Sequence, residues 1–309
     1  MCFSQNAFDK LCQIIKSKPQ IHLSIINDKI QIINIYKQQI LSVSKSRNLV
    51  RKEGISLYVG DVYSPHSIFW NNFFDETGFR NWAGKNWNNF KDPKFPGLLI
   101  PFIVDFDSVF IETVIKLKNI TSREPIGKWY LVYGNRAAGM GGFGNGIMFI
   151  DFFGIGDNGD EHLIFTLPHE INHQIFGGSN INDGTLLYSI IDEGFSCYVN
   201  YIYWGDKFSR AKNINFTDEE WNWCIKNERK LLDYSKPLFY SKDKNVIHKF
   251  QRGNKHIWEG APDRIAYFIG FRICEIFVNN NGKDSWKNIY DLPISKTFNL
   301  SGYENFINK

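Results

Sequence analysis

Hydrophobic residues follow two different patterns along the chain, and the pattern changes near residue 160. Up to that point, short runs of β-branched or other apolar residues alternate with stretches whose apolar residues lie three or four positions apart. The short runs predict strands, and the wider spacing predicts helices. The predicted helices of this half are 7–15, 29–43 and 105–117, and the predicted strands are 55–62, 98–104, 129–133 and 147–153. The first half is therefore expected to hold a mixed sheet interleaved with helices.

Beyond residue 160, every long segment carries the helical spacing. The predicted helices are 163–176, 185–204, 218–232 and 262–278. A sheet in the first half and helices in the second predict an α+β fold. The expected division is into an N-terminal α/β part, 1–160, with the sheet and a glycine-rich loop, and a mostly helical part, 161–309.

The composition excludes several classes of protein. The 309 residues are 43% hydrophobic and 22% charged, which is typical of a globular chain and not of a disordered one. A net charge of +4, dispersed along the chain, does not predict a nucleic-acid partner. No run of about 18 apolar residues and no signal-peptide pattern is visible, so no membrane span is expected and the predicted compartment is the cytoplasm, unless an export signal has been trimmed. Five cysteines without a C-x-x-C pair fit reduced thiols there.

A glycine-rich segment, 139–144, has the spacing G-x-G-x-x-G of dinucleotide-binding loops. That motif requires a helix directly after it, whose N-terminus meets the pyrophosphate. Here the strand-like segment 147–153 follows, and no Lys-Ser or Lys-Thr closes the glycine run as a P-loop would require. The segment is predicted to be a loop between two strands and not a nucleotide site.

One motif in the second half carries chemistry, the H-E-x-x-H of His169, Glu170 and His173. Residues four apart lie on the same face of a helix, so both imidazoles can bind one ion while the carboxylate points toward the same opening. The composition would produce this motif by chance roughly 0.007 times in a chain of this length. We therefore interpret it as a zinc site, which in a catalytic geometry needs a third protein ligand.

Glu193 is expected to be the third ligand, because it lies twenty residues beyond His173 on the next predicted helix. A three-histidine arrangement is excluded, since Ser179 stands where the third histidine would be. Glu193 shares a helical face with apolar residues, where an unpaired carboxylate would be costly and a metal would compensate its charge. Asp192 and Asp183 stay open as rival ligands.

This ligand set resembles the gluzincin group of zinc metallopeptidases, whose third ligand is a glutamate on the following helix. More closely, the segments 167–170, 192–195 and 262–271 resemble a bacterial family of predicted Zn-dependent proteases of uncharacterised function. The similarity covers about residues 128–277 and implies a zincin-like fold. Cys197 departs from the gluzincin pattern, which has an aspartate there to support a ligand histidine. That support is expected instead from Asp192, Asp263 or a backbone carbonyl.

The resemblance implies a zinc-dependent metallopeptidase that hydrolyses a peptide or protein substrate. Glu170 would take a proton from the zinc-bound water as general base. Tyr267 would donate to the developing oxyanion, with His256 and His248 as rivals. The strand 147–153 is expected at the edge of the sheet, where an extended peptide can pair with it.

The alternative is a non-catalytic protein that binds a polypeptide or a glycan on a zinc-peptidase-like scaffold. Eight aromatic residues between Phe69 and Phe90 could supply such a surface, although a packed aromatic layer is the commoner arrangement. Zinc analysis followed by a chelator-sensitive peptidase assay distinguishes the two hypotheses.

Overall fold

The computed structural model describes residues 12–13, 23–26, 29–46, 48–91, 100–134, 139–143, 146–152, 159–180, 182–252 and 257–307. The chain forms two compact units. The first comprises Met1–Thr113 and Pro125–Phe165, and the second comprises Val114–Glu124 and Thr166–Lys309. The sheet belongs to the first unit, and the described part of the second unit is helical.

A five-stranded mixed sheet forms the first unit, in the order β1-β2-β3-β5-β4. The strands are β1 (Leu23–Ile26), β2 (Ile30–Asn34), β3 (Gly127–Val132), β4 (Met140–Gly142) and β5 (Ile147–Asp151). β2, β3 and β5 run parallel, whereas β1 and β4 pair antiparallel at the two edges. Trp129, Leu131 and Val132 of β3 are fully buried, as parallel strands covered on both faces require. The predicted α+β fold with a mixed sheet is confirmed, while its zincin-like refinement stays a prediction.

Five helices accompany the sheet in the sequence: α1 (Ile35–Ser46), α2 (Arg51–Tyr58), α3 (Ser67–Trp70), α4 (Glu76–Lys91) and α5 (Ile100–Thr121). A turn of π-helix, Val59–Tyr63, continues α2 and leads through a short 3₁₀ turn into α3. The helix predicted at 105–117 lies within α5 and is confirmed. The helix predicted at 7–15 lies almost wholly outside the described residues.

Two predicted strands of the first half are wrong, and one predicted helix is confirmed only from Ile35 onward. Segment 29–43 begins as β2 and becomes helical only at Ile35, whereas 55–62 is helical throughout and 98–104 is helical from Ile100 onward. Short apolar runs do not distinguish a strand from a buried helix, and packing decides between them. In 55–62, the helical conformation buries the side chains of Tyr58, Val59 and Val62.

The strand predicted at 147–153 ends earlier, at Asp151, and does not lie at an edge. It is β5, hydrogen-bonded to β3 on one side and to β4 on the other. Both of its edges are therefore occupied. The expectation that an extended peptide pairs with this strand is wrong.

The aromatic residues of 69–90 form a packed layer rather than a surface. Phe69, Trp70 and Phe79 have no exposed area, and Trp87 and Phe90 have almost none. The layer is anchored to the sheet, since the ring of Phe69 stacks on Tyr130 of β3 with centroids 4.4 Å apart. These side chains stabilise the first unit and offer little area for a ligand.

The second unit contains the following helices: α6 (Gly159–Ser179, from Thr166 onward), α7 (Leu186–Trp204), α8 (Arg210–Asn213), α9 (Asp218–Lys226), α10 (Glu228–Ser235), α11 (Lys244–Gln251), α12 (Ile265–Asn281), α13 (Ile294–Ser301) and α14 (Tyr303–Phe306). Thr185 begins α7 as an N-cap, because its side chain accepts a hydrogen bond from the backbone of Tyr188. The helix predicted at 218–232 is divided at Asn227 into α9 and α10. The predicted helical character of the second half is confirmed.

Helices α7 and α12 cross in direct backbone contact at Gly194 and Gly270. A Cβ atom added to Gly194 would lie 2.0 Å from the carbonyl carbon of Gly270, and one added to Gly270 would lie 1.8 Å from the carbonyl oxygen of Ile190. Side-chain carbons do not approach other atoms so closely, so the crossing requires glycine on both helices. It brings Glu193 of α7 near Tyr267, which lies one turn before Gly270 on α12.

Replacing Gly270 with alanine should separate the two helices. We expect Gly270→Ala to lower the free energy of unfolding by about 3 kcal/mol, the upper part of the usual range for overpacking. Urea denaturation followed by circular dichroism measures this loss.

Gly177→Ala is the matched control, because nothing lies within 4 Å of a Cβ at that helical position. Alanine there should raise stability by about 0.5–1 kcal/mol through helix propensity. Equal stability of the two variants would contradict the close crossing of α7 and α12.

Candidate metal centre

Helix α6 carries His169 and His173 one turn apart on the same face. Their rings are nearly perpendicular, with centroids 4.6 Å apart. The two Nε2 atoms are separated by 3.0 Å. His169 is buried and His173 is half-buried. The imidazoles thus converge on one small volume, as the spacing of the motif predicts.

Helix α7 brings the carboxylate of Glu193 to the same volume. Its Oε2 lies 3.5 Å from Nε2 of His169 and 3.3 Å from Nε2 of His173. A tetrahedral zinc ion with bonds of about 2.1 Å keeps its ligand atoms about 3.4 Å apart. The three ligand atoms lie 3.0, 3.3 and 3.5 Å apart, so two of the three separations match those of a zinc site and the third is shorter. Within the described part of the chain, no other three His, Cys, Asp or Glu side chains come together in this way.

The state of Glu193 provides a separate test of whether a cation fits. Its Oε2 is buried and makes no hydrogen bond of normal geometry to any described residue. The amide of Gln251 on α11 approaches the other oxygen, at 3.4 Å. A buried carboxylate oxygen whose polar contacts are two imidazole nitrogens at 3.3 and 3.5 Å is costly to keep charged, and a cation held with those imidazoles would lower that cost. The residues present therefore fit a divalent metal ion.

Neighbouring side chains orient both imidazoles. Nδ1 of His173 lies 2.8 Å from Oδ1 of Asp192 and 3.2 Å from Oγ of Ser196. A proton on Nδ1, donated to the carboxylate, leaves the lone pair of Nε2 directed at the site, as is usual for metal-binding histidines. Nδ1 of His169 lies 3.5 Å from Sγ of Cys197. The structure thus places the expected support of Asp192 on His173, and it places Cys197 beside the other imidazole.

The rival ligand Asp183 lies elsewhere. Its Oδ1 accepts hydrogen bonds from the backbone N–H and the hydroxyl of Thr185, at 2.9 and 2.7 Å. Asp183 thereby stabilises the turn that leads into α7. It is not part of the triangle of ligand atoms.

The charges of the site act on one another strongly. Burial lowers the pKa of His173, but the carboxylates of Asp192 and Glu193 outweigh that effect and raise the pKa well above its ordinary value. Burial raises the pKa of Glu193, but the two histidines outweigh it and hold that pKa far below its ordinary value. The low pKa favours the charged form of Glu193, a half-buried residue whose Oε2 atom is fully buried.

Tyr267 of α12 lies against the same group of side chains. Its ring is parallel to that of His169, within 3°, with centroids 6.0 Å apart. Burial raises the pKa of its hydroxyl well above the ordinary value, and the nearby charges of Glu193 and Glu170 add to this. Of the rival donors, His248 is half-buried on α11, and His256 lies outside the described residues.

Asn172, between the two histidines, holds the site together and was not singled out from the sequence. It is fully buried, and its amide donates to Oγ of Ser196 at 3.1 Å. The hydroxyl of Tyr290 donates to its side-chain oxygen. This network joins α6 to α7 and to the 3₁₀ turn Ser285–Tyr290. A polar residue at an internal position of the motif is a weak signal, and nothing in the sequence marks Tyr290 as its partner.

Comparison with known proteins points to a different family from the one expected. Residues 159–305 match the model of the family described as gliding motility protein GldB, a lipoprotein family. The matched segment is just under half of the chain and contains His169, His173, Glu193 and Tyr267. No curated protein and no solved structure gives a significant match to the chain.

The assignment to the gluzincins, and to the family of predicted Zn-dependent proteases, is therefore wrong, because the matching family is a motility family and not a peptidase family. The expected metallopeptidase activity is wrong on the same finding, and the expected peptide or protein substrate loses its support with it. An H-E-x-x-H motif specifies how two imidazoles are placed on a helix, and does not specify what a bound ion does there. The hydrolytic roles given to Glu170 and Tyr267 depended on that assignment, and the structure gives only their positions.

The expected compartment is corrected as well. A match to a lipoprotein family does not support the cytoplasm. The expectation about membrane spans is a separate matter. Among the described helices, none combines the length and the apolar character needed to cross a bilayer.

Removing the Tyr290 hydroxyl should leave the oxygen of Asn172 without its donor. We expect Tyr290→Phe to lower the free energy of unfolding by about 1–3 kcal/mol, because the phenyl ring keeps its packing and a buried acceptor loses its hydrogen bond. Tyr240→Phe is the control, since Tyr240 is 72% exposed, and it should change stability by less than about 0.5 kcal/mol. Chemical denaturation measures both, and equal effects would show that the network does not stabilise the fold.

Proposed function

We propose that this chain is a non-catalytic, metal-binding protein of the gliding-motility type, whose helical unit binds a polypeptide. One observation carries the proposal: the segment that matches the GldB family model contains all three members of the His169, His173 and Glu193 triangle. The feature that suggested an enzyme thus lies inside a region similar to a motility protein. A metal centre that organises a binding surface accounts for both facts.

Zinc is the ion proposed for this centre, with His169, His173 and Glu193 as its ligands. The dimensions of the triangle and the unsatisfied oxygen of Glu193 support this choice. Bound zinc would supply a link between α6 and α7 and one coordination position beyond the three protein ligands. Asp192 keeps the His173 ring in the orientation that such binding needs.

A polypeptide is preferred over a glycan as the partner. The aromatic residues near Phe69, which a glycan would need on the surface, are mostly packed inside the first unit. The matching family is a gliding motility family, and a role in motility favours an interaction with other proteins. We also propose that the α+β fold is a zincin-like scaffold.

The proposed location is the cell envelope, by export or by association with a membrane. The lipoprotein character of the matching family supports it. The location is proposed independently of the identity of the metal.

Zinc binding can be measured directly by isothermal titration of the metal-free protein. We expect one zinc ion per chain, an affinity at least about 100-fold lower in His173→Ala and Glu193→Gln, and one lower by about 10–100-fold in Asp192→Asn, which disturbs only the support of the ring. His248→Ala is the control, since His248 is outside the triangle, and should bind zinc as the parent does. Unchanged binding in Glu193→Gln would remove Glu193 from the ligand set.

The motility role and its non-catalytic nature can be tested together in a gliding strain that lacks this chain. Restoring the gene with Glu170→Gln should restore movement, because that change preserves the shape of the side chain and the three ligands while removing the basic carboxylate. Restoring it with His173→Ala should not restore movement. Protein levels measured by immunoblot control for folding in the cell.

Each result has a clear meaning. If Glu170→Gln fails at normal protein level, the non-catalytic proposal is wrong. If both variants glide normally, the metal centre has no part in motility.

A further inference from the structure

A basic groove lies in the first unit between α2 and α4, far in sequence from the metal centre. It encloses about 730 Å³, and four cations line it: Arg51, Lys52, Arg80 and Lys85. No acidic residue is among the side chains that line it, and Ile55 forms part of its wall. Such a concentration of one sign of charge attracts anions.

The two arginines are held in place by bonds that cross the groove. Nη2 of Arg51 on α2 donates to the carbonyl of Gly84 on α4 at 2.6 Å. Nη1 of Arg80 on α4 donates to Oγ of Ser56 on α2 at 3.2 Å. A guanidinium has five N–H donors, so each arginine keeps further donors for a ligand. Hydrogen bonds between α2 and α4 thus fix the two arginine side chains that line the groove.

Most of the positive charge in the groove is not compensated. Glu76 pairs with Arg80 at 3.0 Å. For Lys52 and Lys85, the described residues include no carboxylate within ion-pair distance. These two lysines are therefore the groups best placed to meet an external anion.

Exposed apolar side chains adjoin the cations. Leu49 and Val50 directly precede Arg51, and they are 37% and 64% exposed. A free phosphate would use the cations alone. An anionic bilayer uses both features, since phosphate headgroups meet lysine and arginine while short apolar side chains enter the boundary with the acyl chains.

We propose that the groove, together with Leu49 and Val50, docks the protein on a membrane surface rich in anionic phospholipid. The positive charge of the groove favours an anionic headgroup as its ligand. The exposed side chains of Leu49 and Val50 favour a bilayer over a dissolved phosphate, because only a bilayer offers them an apolar environment. The surface requires neither the metal nor the proposed motility role, so its test can fail without affecting either.

Sedimentation with vesicles tests the proposal on the full chain. The protein should bind vesicles of equal parts phosphatidylcholine and phosphatidylglycerol, and should not bind vesicles of phosphatidylcholine alone. The double variant Lys52→Ala/Lys85→Ala should bind about 30-fold more weakly, or about 5-fold per lysine. The control Lys242→Ala/Lys244→Ala removes the same charge from exposed positions in the second unit and should bind as the parent does.

A third variant separates the apolar contribution from folding. Val50 is the N-cap of α2 and makes no capping bond, so Val50→Ser should preserve or raise thermal stability. It should nevertheless weaken vesicle binding about 5-fold through loss of apolar area.

The remaining outcomes overturn the proposal. Equal binding by the parent and the double variant would show that the groove is not the contact. If inorganic phosphate displaces the protein while Val50→Ser binds vesicles normally, the groove is a site for soluble phosphate, and a phosphorylated peptide becomes its better ligand.

Discussion

The crossing of α7 and α12 at Gly194 and Gly270 is the constraint on which the candidate metal centre depends. Two helices whose backbones touch cannot shift without separating along their length, because no flexible side chain lies between them. Glu193 is next to the contact on one helix, and Tyr267 is one turn away on the other. Their positions beside the imidazoles of α6 are therefore set by the backbone packing of α7 against α12.

A second constraint is electrostatic. The two imidazoles contact the Glu193 carboxylate, whose Oε2 is buried, and they hold the pKa of that carboxylate far below its ordinary value. Such an arrangement is stable only if positive charge is present, as a proton or as a metal ion. The buried network around Asn172 holds α6 and α7 at the spacing that this balance needs. The charges and the packing of the second unit thus both stabilise the arrangement of His169, His173 and Glu193.

The comparison with GldB changes what this geometry means. A triangle of two imidazoles and one carboxylate, which could hold a metal ion, lies within a region similar to a motility protein. The chemistry of three ligands on two helices is common to enzymes and to proteins that use metal for structure or for recognition. The H-E-x-x-H motif therefore predicted correctly that the two imidazoles converge, whereas the peptidase activity inferred from it was wrong. Only the relation to other proteins distinguished the two.

The sequence by itself determined features that depend on neighbours along the chain. The four-residue spacing of His169 and His173 places both on one helical face whatever the tertiary fold, and the helical period after residue 160 is equally local. The alternation of strands and helices in the first half was less secure, because short runs such as 55–62 are apolar enough for either structure.

Tertiary structure decided everything that joins distant segments. Three contacts of the second unit connect residues on separate elements. They are the crossing of α7 and α12, the approach of Gln251 to Glu193, and the hydrogen bond from Tyr290 to Asn172. The basic groove likewise combines cations of α2 and α4 that no periodicity relates to each other. The physical reason is that such contacts depend on how helices pack, and packing is determined by the shapes of all the surfaces together and not by any one segment.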